Sequence, residues 1–305
     1  MKRVLVVGMV LALMVSSAMG SGFVITEEND FFLKKDNNYT QGLEMYFVDS
    51  EKNEKGELEK SSWGWRSRMY TPEDITIATN QPNDRPWAGV TTVFHEETKK
   101  KNGEYVMTGY EFGILGPEAS AEWMQTTIHK WIGSRTPMGW SNQVPNEISV
   151  QYYRTYYKPL KSLGTPGKWM LDLEMPYGYV CGTTYDNFFS GLSIRAGWNI
   201  PPAHYSGSIE PKAVLSKPFA YLLFDGNGKY VLHNATFGHS FFTSYKDSEW
   251  DREIIPVVGE MHYGASVGYN NFAVTYLNEL RTEEFEGQPE QFKCGMLRLE
   301  FTVLF

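Results

Sequence analysis

From Lys293 to Phe305 (KCGMLRLEFTVLF) the chain alternates strictly, with Leu297, Leu299, Phe301, Val303 and Phe305 on one face and Arg298, Glu300 and Thr302 on the other. A period of two is the signature of a β-strand whose faces meet different surroundings. The pattern recurs along the chain. Leu43, Met45 and Phe47 oppose Thr40, Gly42 and Glu44, and Trp63, Trp65 and Met69 oppose Arg66 and Arg68. Trp169, Leu171 and Leu173 oppose Asp172 and Glu174, while Leu192, Ile194 and Trp198 oppose Ser193, Arg195 and Asn199. Such segments, about ten residues or longer, number about twelve, an even count suited to a closed antiparallel barrel. The 19 Tyr, 18 Phe, 9 Trp and 28 Gly carry the same bias toward strands and tight turns. The fold class is therefore all-β. Alternation alone does not say which face meets solvent: in a soluble sandwich the charged face looks outward, in a membrane barrel inward.

Three features favour the membrane. Lys2 and Arg3 precede a twelve-residue apolar run, Val4 to Val15, followed by the small residues of Ser16 to Gly20. This is the pattern of a secretory signal peptide over residues 1–20, cleaved after Gly20, and it falls short of the roughly 20 residues a membrane helix needs. Aromatic residues cluster near the ends of many strands, as an interfacial girdle requires, and the last strand ends on Phe305. The expected mature chain is one barrel domain, residues 21–305. Loss of Lys2 and Arg3 takes the formal charge from −8 to −10, which argues against nucleic acid and requires divalent cations at any anionic partner. Cys181 and Cys294 fall in opposite phases, so no disulfide is expected.

Short turns such as Asn102-Gly103 and Asn270-Asn271 belong on the periplasmic side, and the long connections outside: Asp30 to Asn38, Thr71 to Trp87, Pro117 to Asn146 and Phe237 to Asp251. The mixed-sign lumen side chains should pair with one another and leave little open channel, unlike a general porin. The chemistry is sought in the outer loops. Ala119 to Ile132 reads as a short helix, with Trp123, Thr127 and Trp131 beside Met124, Ile128 and Ile132, and with Gln125 and His129 sharing the polar face. A histidine there can act as general base, with glutamine one turn back orienting a water or substrate oxygen; an ordinary solvated histidine is the alternative. Glu28, Asn29 and Asp30 end the first strand, and Asp36, Tyr39 and Thr40 open the second. Oxygen donors gathered at one rim suit Ca²⁺, although Asp and Asn also serve purely local turn chemistry.

EEND (27–30), NYTQG (38–42), MYTPED (69–74), NDRPWAG (83–89), GILGPEA (113–119), QTTIH (125–129) and GWSNQVPNE (139–147) together resemble the outer-membrane lipid A 3′-O-deacylase family. The likeness runs to Phe305 and is strongest over residues 23–147. It implies a twelve-stranded barrel in outer-membrane lipid and a Ca²⁺-dependent esterase site near the outer leaflet. The substrate would be lipid A, within lipopolysaccharide, losing its 3′-linked acyloxyacyl group. By that resemblance His129 is the base and Gln125 its neighbour, while Asn29, Asp30 and Thr40 organise cation and substrate, Asp30 as the metal ligand. Bound Ca²⁺ would polarise the ester carbonyl as His129 takes a proton from the attacking water. The barrel is expected to act as a monomer. Family enzymes carry a lysine in the second outer loop, whereas residues 70–86 contain none. Arg85 is the only cation there, expected either to bind a lipid A phosphate or stabilise the developing oxyanion, or else to shape the loop. The competing readings are a lipopolysaccharide-binding or structural barrel without catalysis, and a transport channel.

Overall fold

The computed structural model describes residues 22–29, 38–52, 58–201, 217–242, 248–269, 272–288 and 292–301. Twelve antiparallel strands close into a barrel: β1 (Gly22–Asn29), β2 (Asn38–Lys52), β3 (Leu58–Thr71), β4 (Ala88–Lys101), β5 (Glu104–Leu115), β6 (Glu147–Gly164), β7 (Trp169–Gly182), β8 (Tyr185–Trp198), β9 (Phe219–Asn234), β10 (Val257–Tyr269), β11 (Phe272–Arg281) and β12 (Phe292–Phe301). Each strand pairs with its sequence neighbours, and β1 pairs with β12, Phe23 opposite Phe301, so no edge is left open. The expected leader, Asp30, the Asn270-Asn271 turn, Phe305 and the side chain of Cys294 lie outside the described residues.

Side-chain direction decides the solvent. Tyr110 and Phe112 on β5 are 57% and 62% exposed, while Glu111 between them is 6% exposed. The same alternation puts Leu222 and Phe224 of β9 outside and Asp225 inside. A wall of exposed large apolar side chains around a charged interior is stable only where the surrounding medium is lipid. Among the described residues no helix is long and apolar enough to cross a membrane.

Inside, the charges do pair. Arg66 binds Glu44 at 2.5 Å and also Glu111 and Glu96, with Tyr153 donating to Glu96 at 2.6 Å. Arg281 reaches Glu279 at 2.5 Å, Glu260 at 2.8 Å and Glu284 at 3.0 Å, and Lys229 also binds Glu260. The pairing nevertheless leaves more room than the sequence suggests, a polar cavity of about 510 Å³ between these networks.

The start of β1 at Gly22 and the end of β12 at Phe301 mark one rim of the barrel, the terminal rim, and the long loops the other. Asn102 (φ 54°) and Gly103 (φ 83°) make the tight terminal-rim turn, the left-handed pair that a two-residue hairpin demands. Two connections depart from the expected division. Residues 183–184 link β7 to β8 by a two-residue turn at the loop rim, and β8 and β9 reach the terminal rim at Trp198 and Phe219, with residues 199–218 between them in sequence. At the loop rim the described parts of the connections after β3, β5 and β9 are tied together. Arg252 donates to the backbone carbonyls of Asp84 (2.6 Å) and Gln81 (3.0 Å), Trp250 to that of Asn142 (2.9 Å), and Asn80 to that of Glu249 (3.0 Å).

Candidate active site

Helix α1 spans Ala121–Ile132, two residues shorter at its start than the periodicity suggests. Ser120 in the left-handed region (φ 65°) separates it from a 3₁₀ turn over Pro117–Ala119. Gly133 (φ 70°) ends it in the left-handed conformation that favours glycine, with its N–H on the carbonyl of His129. The helix lies against the outside of the barrel, over β3 and β4. Ala121 seats on Gly89, where an added Cβ would stand 2.4 Å from that of Ala121. Around this contact Met69, Ile75, Trp87, Ala121 and Trp140 form one buried cluster, with Met124 packed on it.

The helix faces the opposite way from a helix on a soluble protein. Its buried positions are Ala121 and Gln125, whereas Trp131 is 78% exposed and Trp123 and Ile132 also point away from the protein. At the rim of a membrane barrel the surrounding medium is itself apolar or interfacial, so the aromatic face needs no protein cover and the polar face can turn to the wall.

That inversion encloses Gln125. It is 2% exposed, its Oε1 accepts from Trp140 Nε1 at 2.7 Å, and its Nε2 is buried with no hydrogen-bond partner among the described residues. One turn on, His129 Nδ1 lies 2.6 Å from the backbone carbonyl of Arg135. A carbonyl can only accept, so Nδ1 carries a hydrogen, and in the neutral ring the lone pair is then on Nε2, the tautomer required of a base.

The first two strands supply the rest. Asn29, Gln41, Met69 and Gly89 occupy one register row across β1, β2, β3 and β4, so the ends of β1 and β2 lead directly to the patch covered by α1. Glu27 Oε1 accepts from Gln41 Nε2 (2.8 Å) and Asn29 Nδ2 (3.3 Å), which fixes both amides. A bulge between Tyr39 and Gln41 makes Thr40 an extra residue in the pairing, and its hydroxyl meets that of Thr71 at 2.5 Å. Asn29, Thr40, Gln125 and His129 therefore belong to one outer-wall surface. Glu27, Gln41, Thr71 and Trp140 are supporting residues that the loop motifs do not single out. The signal for two of them lies in the alternation: Glu27 and Gln41 are polar at positions in phase with Phe23 and Ile25, and with Leu43 and Met45.

Arg85 is elsewhere. It is 1% exposed, turned inward under the loops, with Nη1 2.7 Å from Glu284, Nη2 3.2 Å from Thr236 Oγ1, and its guanidinium 4.3 Å from the ring centroids of both Tyr70 and Phe237. The geometry is that of the loop-shaping alternative rather than of a cation offered to a phosphate. Its loop folds over the lumen, a direction that loop sequence does not encode.

For a hard cation the donor chemistry at the β1–β2 rim is suitable, because Glu27, Asn29 and Gln41 bear carboxylate and amide oxygens. Among the described residues no three His, Cys, Asp or Glu side chains converge on one point, so an ion here would also depend on Asp30.

A closed barrel with an apolar exterior and a charged interior defines a membrane barrel, here with a polar constellation on its outer wall. The chain belongs to the family described as outer membrane protein LpxR, whose profile matches residues 4–303. Its fold is that of the solved structure of LpxR from Salmonella typhimurium, with a TM-score of 0.78 and 18% identity over 93% of this chain and 100% of that one. The β domain of the Bordetella autotransporter BrkA aligns with a TM-score of 0.47 and 10% identity, covering 93% of this chain and 99% of that one. Among curated proteins none matches significantly. The outer membrane is accordingly the location of this chain.

Proposed function

We propose that this chain is a Ca²⁺-dependent carboxylic ester hydrolase that removes the 3′-linked acyloxyacyl group of lipid A in the outer leaflet. The observation that supports it most is His129 in the tautomer of a base, one turn from a buried glutamine, on a wall that faces lipid. The esters of lipid A lie just beneath their headgroups, at the depth of a loop rim. His129 Nε2 takes a proton from water as that water attacks the acyl carbon, and returns it to the departing sugar oxygen. With its Oε1 held by Trp140, Gln125 has its Nε2 hydrogens to donate to the substrate or to the developing oxyanion. A Ca²⁺ ion, held by Asp30 with Asn29 beside it, would supply positive charge at the ester carbonyl. Thr40 steadies this end of β2 through Thr71.

The metal part is tested on purified lipid A in detergent, by mass spectrometry of the loss of the 3′ group. Chelation should stop the wild type, and Asp30→Ala should be slow but partly restored by excess Ca²⁺. Full activity in chelator would remove the ion from the mechanism and return Asn29 and Asp30 to turn chemistry.

A further inference from the structure

Two strands along the wall from β4, Arg154 projects from β6 to the outside of the barrel. Its neighbours Gln151, Tyr153, Thr155 and Tyr157 line the lumen, so Tyr152, Arg154 and Tyr156 face lipid. Arg154 stands opposite Tyr179 of β7, and Tyr156 opposite Tyr177. The rings are ordered around it. Those of Tyr156 and Tyr177 stack at 5.0 Å and 8°, those of Tyr152 and Tyr179 are 6.0 Å apart with their side chains hydrogen-bonded, and the guanidinium lies 5.4 Å from the Tyr156 centroid.

Unlike Arg66, Arg195 and Arg281 in the lumen, Arg154 has no carboxylate partner among the described residues, and its Nε is buried without a hydrogen bond. The carboxylates on this side of the wall are engaged elsewhere: Glu104 accepts from Tyr177 at 2.8 Å, and Glu97 pairs with Lys99 at 2.8 Å. Toward the loop rim β6 exposes Ile148 and Val150; toward the terminal rim it exposes Lys158. Arg154 therefore sits where the hydrocarbon band gives way to headgroups. An uncompensated arginine on the lipid-facing wall is unfavourable, and the planar guanidinium fork matches a phosphate.

We propose that Arg154, with Tyr152, Tyr156, Tyr177 and Tyr179, forms a binding site for the phosphodiester headgroup of a glycerophospholipid in the leaflet at the terminal rim. The guanidinium pairs with the phosphate, the Tyr156 hydroxyl adds a donor, and the ring faces pack the glycerol and upper acyl carbons. The site is independent of the hydrolase reading, since it needs only the membrane barrel.

The test is native mass spectrometry of the full-length protein released from detergent with added phosphatidylglycerol, diacylglycerol of the same chains, or inorganic phosphate. The wild type should retain phosphatidylglycerol, Arg154→Gln at least about tenfold less, and Arg154→Lys an intermediate amount. Diacylglycerol should not distinguish the variants, and inorganic phosphate should leave no adduct. Arg154→Gln should keep the wild-type heat-modifiability and lipid A hydrolysis. Equal retention of phosphatidylglycerol by wild type and Arg154→Gln would overturn the proposal, with the arginine merely reaching water along the wall; so would inorganic phosphate binding as well as the lipid.

Discussion

On the proposed mechanism Trp140 sets the role of Gln125, because its indole N–H occupies the amide oxygen and leaves the amide nitrogen to donate. Trp140→Phe keeps most of the packing in the cluster with Met69 and Trp87 but frees that oxygen. It should lower the rate of ester hydrolysis by about tenfold, through kcat more than KM, with the barrel intact on unheated gels. An unchanged kcat would leave Trp140 as packing alone. At the same scale, Glu284 binds both Arg85 and Arg281. Burial pushes its carboxyl up, but the two arginines outweigh burial and hold it below the usual carboxylate range. A carboxyl lowered by folding contributes stability that is complete above its unfolded value, about 4.3, and is lost as pH falls through the folded value. Hydrogen exchange of the loop over residues 81–86 should therefore be slow at pH 7 and accelerate only below that range. Glu284→Gln should make the exchange fast at both pH values; protection as strong as in the wild type would contradict the latch.

The seating of α1 is tested at Gly89. A leucine there must displace Ala121, and overpacking of this kind costs about 1 to 3 kcal/mol, which the short helix meets by leaving the wall. Gly89→Leu should abolish hydrolysis while strand pairing, read by far-ultraviolet circular dichroism, stays as in the wild type. Retained activity would mean that the helix need not touch β4. The strands themselves were legible in the sequence, because a period of two leaves few alternatives once a bilayer is granted. The orientation of α1 was not, because its aromatic stripe predicts a buried face only when water lies outside. Thr40 was assigned to the face of Gly42 and Glu44, and the bulge that lets it reach Thr71 leaves no trace in hydropathy. Glu27 was readable in principle as a carboxylate on an apolar face; Arg85 was not, since burial of a loop cation depends on residues some 150 to 200 positions away, Thr236 and Glu284.

For the whole molecule, closure by β1 and β12 removes edges, and the lumen networks hold the wall from within. Arg66→Met would leave Glu44, Glu96 and Glu111 facing one another, and should destabilise the barrel by about 3 kcal/mol, the low end for a broken buried pair because the adjoining cavity can admit water. A lower temperature for loss of heat-modifiability would show it, and an unchanged one would mean that the carboxylates take up protons instead. The lumen thus supports a wall whose outer face, on the proposed function, carries the chemistry. The most direct test of that division is the rate at which purified wild type, His129→Ala and His129→Gln remove the 3′-acyloxyacyl mass from lipid A in detergent with Ca²⁺. The account predicts a wild type that cleaves and both variants slower by roughly 10²- to 10⁴-fold with unaltered heat-modifiability, since glutamine hydrogen-bonds but accepts no proton. Equal rates in all three proteins would contradict it and leave a barrel that binds lipopolysaccharide without cutting it.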